Sequence, residues 1–309
     1  MTSPDAICIG ECMVELSRRG TRYGLNFGGD TFNTAAYMAR AGAAVAYATA
    51  LGDDPYSSGI LKLIASEKVD GSLIPSLKGR NAGLYIIETD GRGERSFWYW
   101  RDRSPARELF ELAEAARVAD AMRSAKLVYF SGITLSLYSA KGLDAFEAAL
   151  VASRASGATI AFDGNFRPRG WAHDLARARA TFGRFLAHCD IALPTFDDEQ
   201  MLWGDTQPDQ TLARMAGFSV REVAVKMGAD GAIIMTSDGR YVVAVPNVVT
   251  SVDTTAAGDS FNGGYLAARL AGAAPQRAAL TGHALAGTVI QHRGAIVPKS
   301  ATRAALKAL

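Results

Sequence analysis

Short apolar, β-branched runs alternate along this chain with longer Ala-rich stretches of helical periodicity, and few folds can accommodate that alternation. Strands joined through helices pair in parallel, and a parallel sheet needs a helical layer on each face. Residues 6–9, 45–50, 127–131, 159–163, 191–194 and 222–226 read as strands. Residues 33–41, 56–67, 111–123, 140–156, 175–187 and 261–271 read as helices, from apolar spacing and helix propensity. The expected fold class is α/β: three layers, αβα, around a mostly parallel, doubly wound sheet. At about 150 residues per domain, 309 residues suit either two domains or one core with an insertion.

One region breaks the pattern. Residues 82–89 and 94–101 are strand-like runs around Asp90-Gly91-Arg92-Gly93, a hairpin signal that leaves no room for a crossover helix. With the segment near 13–27, they read as a small β lid, its segments spanning about 13–27 and 82–103. This favours a single domain over residues 1–309. A second hairpin, 232–236 and 240–245 around Ser237-Asp238-Gly239, follows the last parallel strand and is expected to extend the sheet edge.

Charge and cysteines exclude several classes. The 33 Lys and Arg against 31 Asp and Glu leave +2 without a basic block, so no nucleic-acid footprint is visible. Cys8, Cys12 and Cys189 are an odd count, and the Cys8–Cys12 spacing is neither a redox pair nor a zinc knuckle, which points to a reducing cytoplasm. The N-terminal Met1-Thr2-Ser3-Pro4-Asp5-Ala6 has no secretory pattern, and no apolar run reaches membrane-spanning length, so neither a membrane nor a nucleic-acid partner is expected.

Chemistry concentrates in a few stretches. Asp253-Thr254-Thr255-Ala256-Ala257-Gly258-Asp259 runs into a helix, where backbone amides attract an anion and a carboxylate can take a proton from a hydroxyl. Asp259 could equally be a helix cap. Lys226-Met227-Gly228-Ala229-Asp230-Gly231 ends a strand in a Gly-spaced turn that would let backbone approach a phosphate, or is simply a turn. Gly28-Gly29-Asp30-Thr31-Phe32-Asn33 offers bare glycines for a ligand to lie against and polar groups for hydroxyls, or an N-cap behind a turn. No Walker A sequence or complete GxGxxG occurs.

Taken in order, these stretches resemble the ribokinase-like carbohydrate kinases, the PfkB family. The resemblance implies a ribokinase-like fold, with ATP and Mg2+ as cofactors. In it Asp259 is the catalytic base, and the amides of Ala257, Gly258 and Asp259, with Ala256 before them, form an anion hole. Many members carry a first glycine where this chain has Ala256-Ala257; alanine resists positive φ, so the loop should be less adaptable. Lys226, Gly228, Ala229 and Gly231 resemble the nucleotide loop, and Gly28, Gly29, Asp30 and Asn33 the sugar motif. Thr195 stands where the family has Asn, and Asp198 or its neighbour Glu199 would organise magnesium through water; both also suit an acidic first turn. His283 falls at the adenine position, though a lone histidine on an Ala-rich helix is more often packed. A monovalent cation near Asp253 and Thr255 stays open.

The sugar is read from arginines. Strand alternation puts Tyr99 and Arg101 on one face, with Trp98 and Trp100 on the other for packing or a subunit contact, which suggests a homo-oligomer paired through the lid. Asp163-Gly164-Asn165-Phe166-Arg167 places another arginine after a core strand, where α/β sheets bind ligands and where it could also meet a nucleotide phosphate. Two guanidinium groups suit a carboxylate. With Tyr85 and Asn165, these residues resemble one group within the family, the 2-keto-3-deoxygluconate kinases, which implies transfer of the ATP γ-phosphoryl to the 6-hydroxyl of that keto acid. The alternatives are a ribokinase or fructokinase type acting on a neutral sugar, favoured if Arg101 faces solvent, a sugar-binding sensor without catalysis, and a nicotinamide oxidoreductase.

Overall fold

A computed structural model describes residues 4–89 and 95–308. The Asp90–Gly93 turn and the first three residues, on which two of the expectations rest, lie outside them. The main sheet has eight strands in the order Gly239–Val243, Ala232–Thr236, Glu222–Lys226, Ile191–Ala192, Thr159–Asp163, Leu127–Ser131, Ala6–Ile9 and Val45–Ala48. The last six named are parallel, and the 232–243 hairpin joins antiparallel at one edge, as expected.

Both faces of the sheet are covered, which is why its strands read as unbroken apolar runs. Ile7, Ile9, Val128 and Phe130 face one core with Phe146 of helix Ala140–Ala155 and Phe182 of helix Leu175–Leu186. Ala6, Cys8, Leu127 and Tyr129 face the other, with Phe32 of helix Asp30–Arg40 and Phe261 and Tyr265 of helix Ala257–Leu270. Strand Ala6–Ile9 pairs with Val45–Ala48, the next strand of this sheet in sequence, on one side and with Leu127–Ser131 on the other. The carboxyl ends of the strands at this reversal are where such sheets bind ligands.

The small sheet has the order Arg22–Gly28, Met13–Arg19, Leu84–Thr89 and Arg95–Trp100, so the two inserted segments come together. Met13 pairs with Gly28, Val14 with Leu84, and Leu84 with Trp100, so every connection to the core leaves from one end of this sheet.

Several boundaries differ from the sequence reading. The strand expected over 45–50 stops at Ala48, because Leu51–Gly52 leaves to pair with Ser76–Leu77. The helix expected over 111–123 is divided: Pro105 opens a 3-10 helix, Pro105–Glu111, Leu112 is extended, and an α-helix covers Ala115–Ser124. The strand expected over 191–194 pairs only at Ile191–Ala192, and the helix expected from 261 starts at Ala257. Among the described residues, no helix is long and apolar enough to cross a membrane.

Candidate active site

Helix Ala257–Leu270 begins at the carboxyl end of the sheet, entered through Ala256 in the left-handed region, φ 60° and ψ 18°. The expectation that alanine would avoid positive φ is corrected: the loop demands that conformation and Ala256 adopts it. An alanine held there costs on the order of 1 kcal/mol. Ala256→Gly should therefore raise unfolding free energy by about 0.5–1 kcal/mol in a denaturant titration; an unchanged midpoint would show that the loop carries no strain. The Ala257 amide donates to the Thr254 carbonyl at 3.2 Å. The amides of Gly258 and Asp259 have no hydrogen-bond partner among the described residues, so they face outward at the positive end of the helix.

Asp259 does not cap this helix. Its carboxylate is half-buried and accepts from Asn33 Nδ2 at 2.8 Å. Burial, together with the nearby charges of Asp30 and Asp163, pushes it up to about 7, against the opposing pull of Asn33 and Lys226. Asp30 lies in the first turn of its own helix, its carboxylate accepting from Ser131 Oγ at 2.5 Å and Asn165 Nδ2 at 2.8 Å, and burial raises it as well. Asn33 holds the Asp259 carboxylate with its amide nitrogen, while its Oδ1 is buried without a partner, an open acceptor for a hydroxyl.

The glycines before Asp30 have a different use from the one expected. A Cβ on Gly29 would stand 1.9 Å from the Glu11 carbonyl oxygen, so its bareness admits the neighbouring chain rather than a ligand. One on Gly28 would stand 3.2 Å from the Tyr85 hydroxyl. Tyr85 donates to Glu15 Oε2 at 2.5 Å, and its ring lies 6.0 Å from that of Tyr99 across the inner face of the small sheet. Trp98 and Trp100, 48% and 59% exposed, are on the outer face, as alternation requires.

Both arginines expected at the sugar site already have carboxylate partners. Arg101 lies over the Tyr99 ring at 5.7 Å and pairs with Glu11, which is buried where the chain leaves strand Ala6–Ile9; it is neither free nor turned to solvent. Arg167 donates to Asp198 Oδ1 at 2.9 Å. Partial desolvation works against the charge of this half-exposed side chain, but Asp198, Asp163 and Asp259 outweigh that and raise it above its ordinary value. The two acids of the 195–199 stretch diverge. Asp198 faces Arg167, Asp163 and Lys226, whereas Glu199, raised to about 7 mainly by burial, is tied to Arg214 at 2.7 Å. Among the described residues no group of three His, Cys, Asp or Glu could cage a metal. One carboxylate at the edge of a cleft fits magnesium held largely by phosphate oxygens and water, with Asp198 as the protein's contribution.

On the other side of the Gly258 turn, a cavity of about 360 Å³ is lined by Thr195, Lys226, Gly228, Ala229, Gly231, Gly258 and His283, with Val245, Val248 and Ile290 supplying an apolar wall. His283 reaches the Val243 carbonyl at 3.1 Å and meets Phe261 edge to face; burial lowers it, so its ring is neutral and serves as wall. Lys226, at the end of its strand, donates to Asp163 Oδ2 at 3.1 Å and Asn262 Oδ1 at 3.0 Å, and Asn262 Nδ2 donates to Asp163 at 2.7 Å. Sequence reasoning missed Asn262, three residues after Asp259 and so on the same helix face, and Glu11, whose partner is ninety residues away. Arg169, two residues after Arg167, was missed as well.

A carboxylate poised near neutrality beside outward-facing amides, between an apolar cleft and a polar one, belongs to a phosphotransferase that brings two small molecules together, and the chain is a member of the pfkB family of carbohydrate kinases, whose pattern matches residues 3–302. Among its relatives, the 2-dehydro-3-deoxygluconokinase of Dickeya dadantii is 42% identical over 309 residues, covering 97% of this chain and 99% of the relative. A PfkB protein from Polaromonas superposes with a TM-score of 0.85 at 26% identity, covering 99% of each chain. A ribokinase-like Escherichia coli protein solved with ATP and Mg2+ has the same fold, with a TM-score of 0.84 at 23% identity over 99% of this chain and 98% of that one.

Proposed function

We propose that the enzyme transfers the γ-phosphoryl group of ATP to the 6-hydroxyl of 2-keto-3-deoxy-D-gluconate. The observation that carries this reading is Asp259, its half-buried carboxylate raised to about 7 by desolvation and neighbouring acids and set at the amide-rich start of its helix. The hydroxyl proton passes to Asp259 as the oxygen attacks, and the Gly258 and Asp259 amides with the Lys226 ammonium stabilise charge on the transferred group. Asp198 would help hold a magnesium ion through water, and that ion would supply neutralisation of phosphate charge. Thr195, Gly228, Ala229, Gly231 and His283 would hold the nucleotide. Asp30, Asn33, Asn165, Tyr85 and Tyr99 would hold the sugar, and Arg101 and Arg167 bracket its acid end. The names of the relatives support the keto acid.

In the same reading, residues 1–309 form one kinase domain, and the small sheet is its lid. Its exposed outer face, with Trp98, Trp100 and Leu25, would pair two copies in the cytoplasm. The pairing of Arg101 with Glu11 favours a second reading, a kinase of a neutral sugar, because that guanidinium is already neutralised. An ATP-consumption assay over 2-keto-3-deoxygluconate, 2-ketogluconate, ribose, fructose and a nucleoside separates them. The keto acid should exceed ribose and fructose in kcat/KM by about 10⁴-fold, the scale on which a site built for a polar group rejects a substrate lacking it. A neutral sugar turned over as well as the acid would overturn the first reading.

A further inference from the structure

Three guanidinium groups crowd the outer end of the sugar cleft, and two are paired with carboxylates. The third, Arg169, has no carboxylate partner among the described residues. It rises from the 3-10 helix Pro168–Trp171, directly after the stretch holding Asp163, Asn165 and Arg167, and reaches the small sheet. There its Nη1 donates to the Phe97 carbonyl at 2.8 Å, and its guanidinium carbon lies 5.7 Å from the Trp98 ring centre and 5.9 Å from that of Tyr99. Phe97 belongs to Arg95–Trp100, the edge strand, which has a strand neighbour on one side alone. All connections to the core leave from the opposite end of the sheet, so Arg169 grips the edge strand three residues towards its free end.

We infer that Arg169 is a latch across the sugar cleft, a positioning residue that holds the edge strand, and with it Tyr99, over the bound sugar. A planar cation suits this task, since one side chain donates to an edge carbonyl and lies over two rings. Arg169 is exposed, so each contact is weak enough to release and reform with every turnover. The inference rests on the kinase reading for its kinetic consequences and on the geometry alone for its structural one.

Arg169→Ala should raise the sugar KM by about tenfold while kcat changes by no more than about twofold and the ATP KM stays at the wild-type value. Arg169→Lys, which keeps a donor and a cation, should recover part of that loss. In ligand-free protein, amide hydrogens of Arg95–Trp100 should exchange faster in Arg169→Ala while those of Leu127–Ser131 do not change. Unaltered exchange in Arg95–Trp100 overturns the latch. So does a KM rise confined to the sugar acid and absent for its carboxyl-reduced analogue, which would make Arg169 a direct ligand of the carboxylate. If the wild type phosphorylates none of the sugars, the kinase reading fails while the exchange result still decides the latch.

Discussion

Asp259→Asn should lower kcat by about 10²–10⁴-fold, the range for loss of a general base, and leave the sugar KM near its wild-type value. The amide is isosteric and can still accept from Asn33, so the site keeps its shape while losing its proton acceptor. The wild type carries a second signature. Because burial and the charges of Asp30 and Asp163 hold Asp259 near 7, kcat/KM should fall below about pH 7 as the base takes up a proton. An ordinary aspartate would place that limb near pH 4. Asp30→Asn removes a charge that raises Asp259, so its acid limb should move to lower pH. Full turnover in Asp259→Asn would remove this residue from the mechanism, and a limb unmoved in Asp30→Asn would show that the two carboxylates do not interact.

The parts of the molecule that were legible in the sequence are those whose physics is local or repetitive. Strands Ala6–Ile9, Leu127–Ser131, Thr159–Asp163 and Glu222–Lys226 are buried on both faces, and that alone produces runs such as Ala-Ile-Cys-Ile and Glu-Val-Ala-Val-Lys. The start of the helix at Ala257 was hidden because Ala-Gly-Asp-Ser shows no apolar face; it begins there to aim amides outward. Helix Gly132–Leu137 was hidden by its length, six residues held by a capping box between Ser131 and Thr134. In the site, Asp259, Lys226 and the Gly-spaced turn stood out by composition. What they touch did not, since Asn33 with Asp259, Glu11 with Arg101 and Asp163 with Lys226 are pairs made by the fold across long separations. Arg101 shows the consequence: alternation placed its face correctly, but only the packed structure reveals that its charge is shared with Glu11.

Lys226→Met should produce two losses that a second substitution separates. The ammonium joins Asp163 and Asn262 at the cavity wall beneath the Gly258 turn, and a Cβ on Gly258 would lie 3.5 Å from it. Removing the cation leaves the Asp163 carboxylate buried without its counter-charge, a change that typically costs about 3–5 kcal/mol. The two hydrogen bonds it keeps, from Asn262 Nδ2 and the Asn165 amide, place the expectation near the lower end. Pairing Lys226→Met with Asp163→Asn removes the stranded charge, so thermal stability should largely return in the double variant. Activity should not. Both variants lack the cation beside the turn where the phosphoryl group would pass, and kcat should stay about 10²-fold or more below wild type in each, the scale seen when one preorganised charge-stabilising donor is lost. If the double variant recovers kcat together with its melting temperature, Lys226 is a structural counter-ion for Asp163, and charge stabilisation in the transfer step falls to the amides of Gly258 and Asp259.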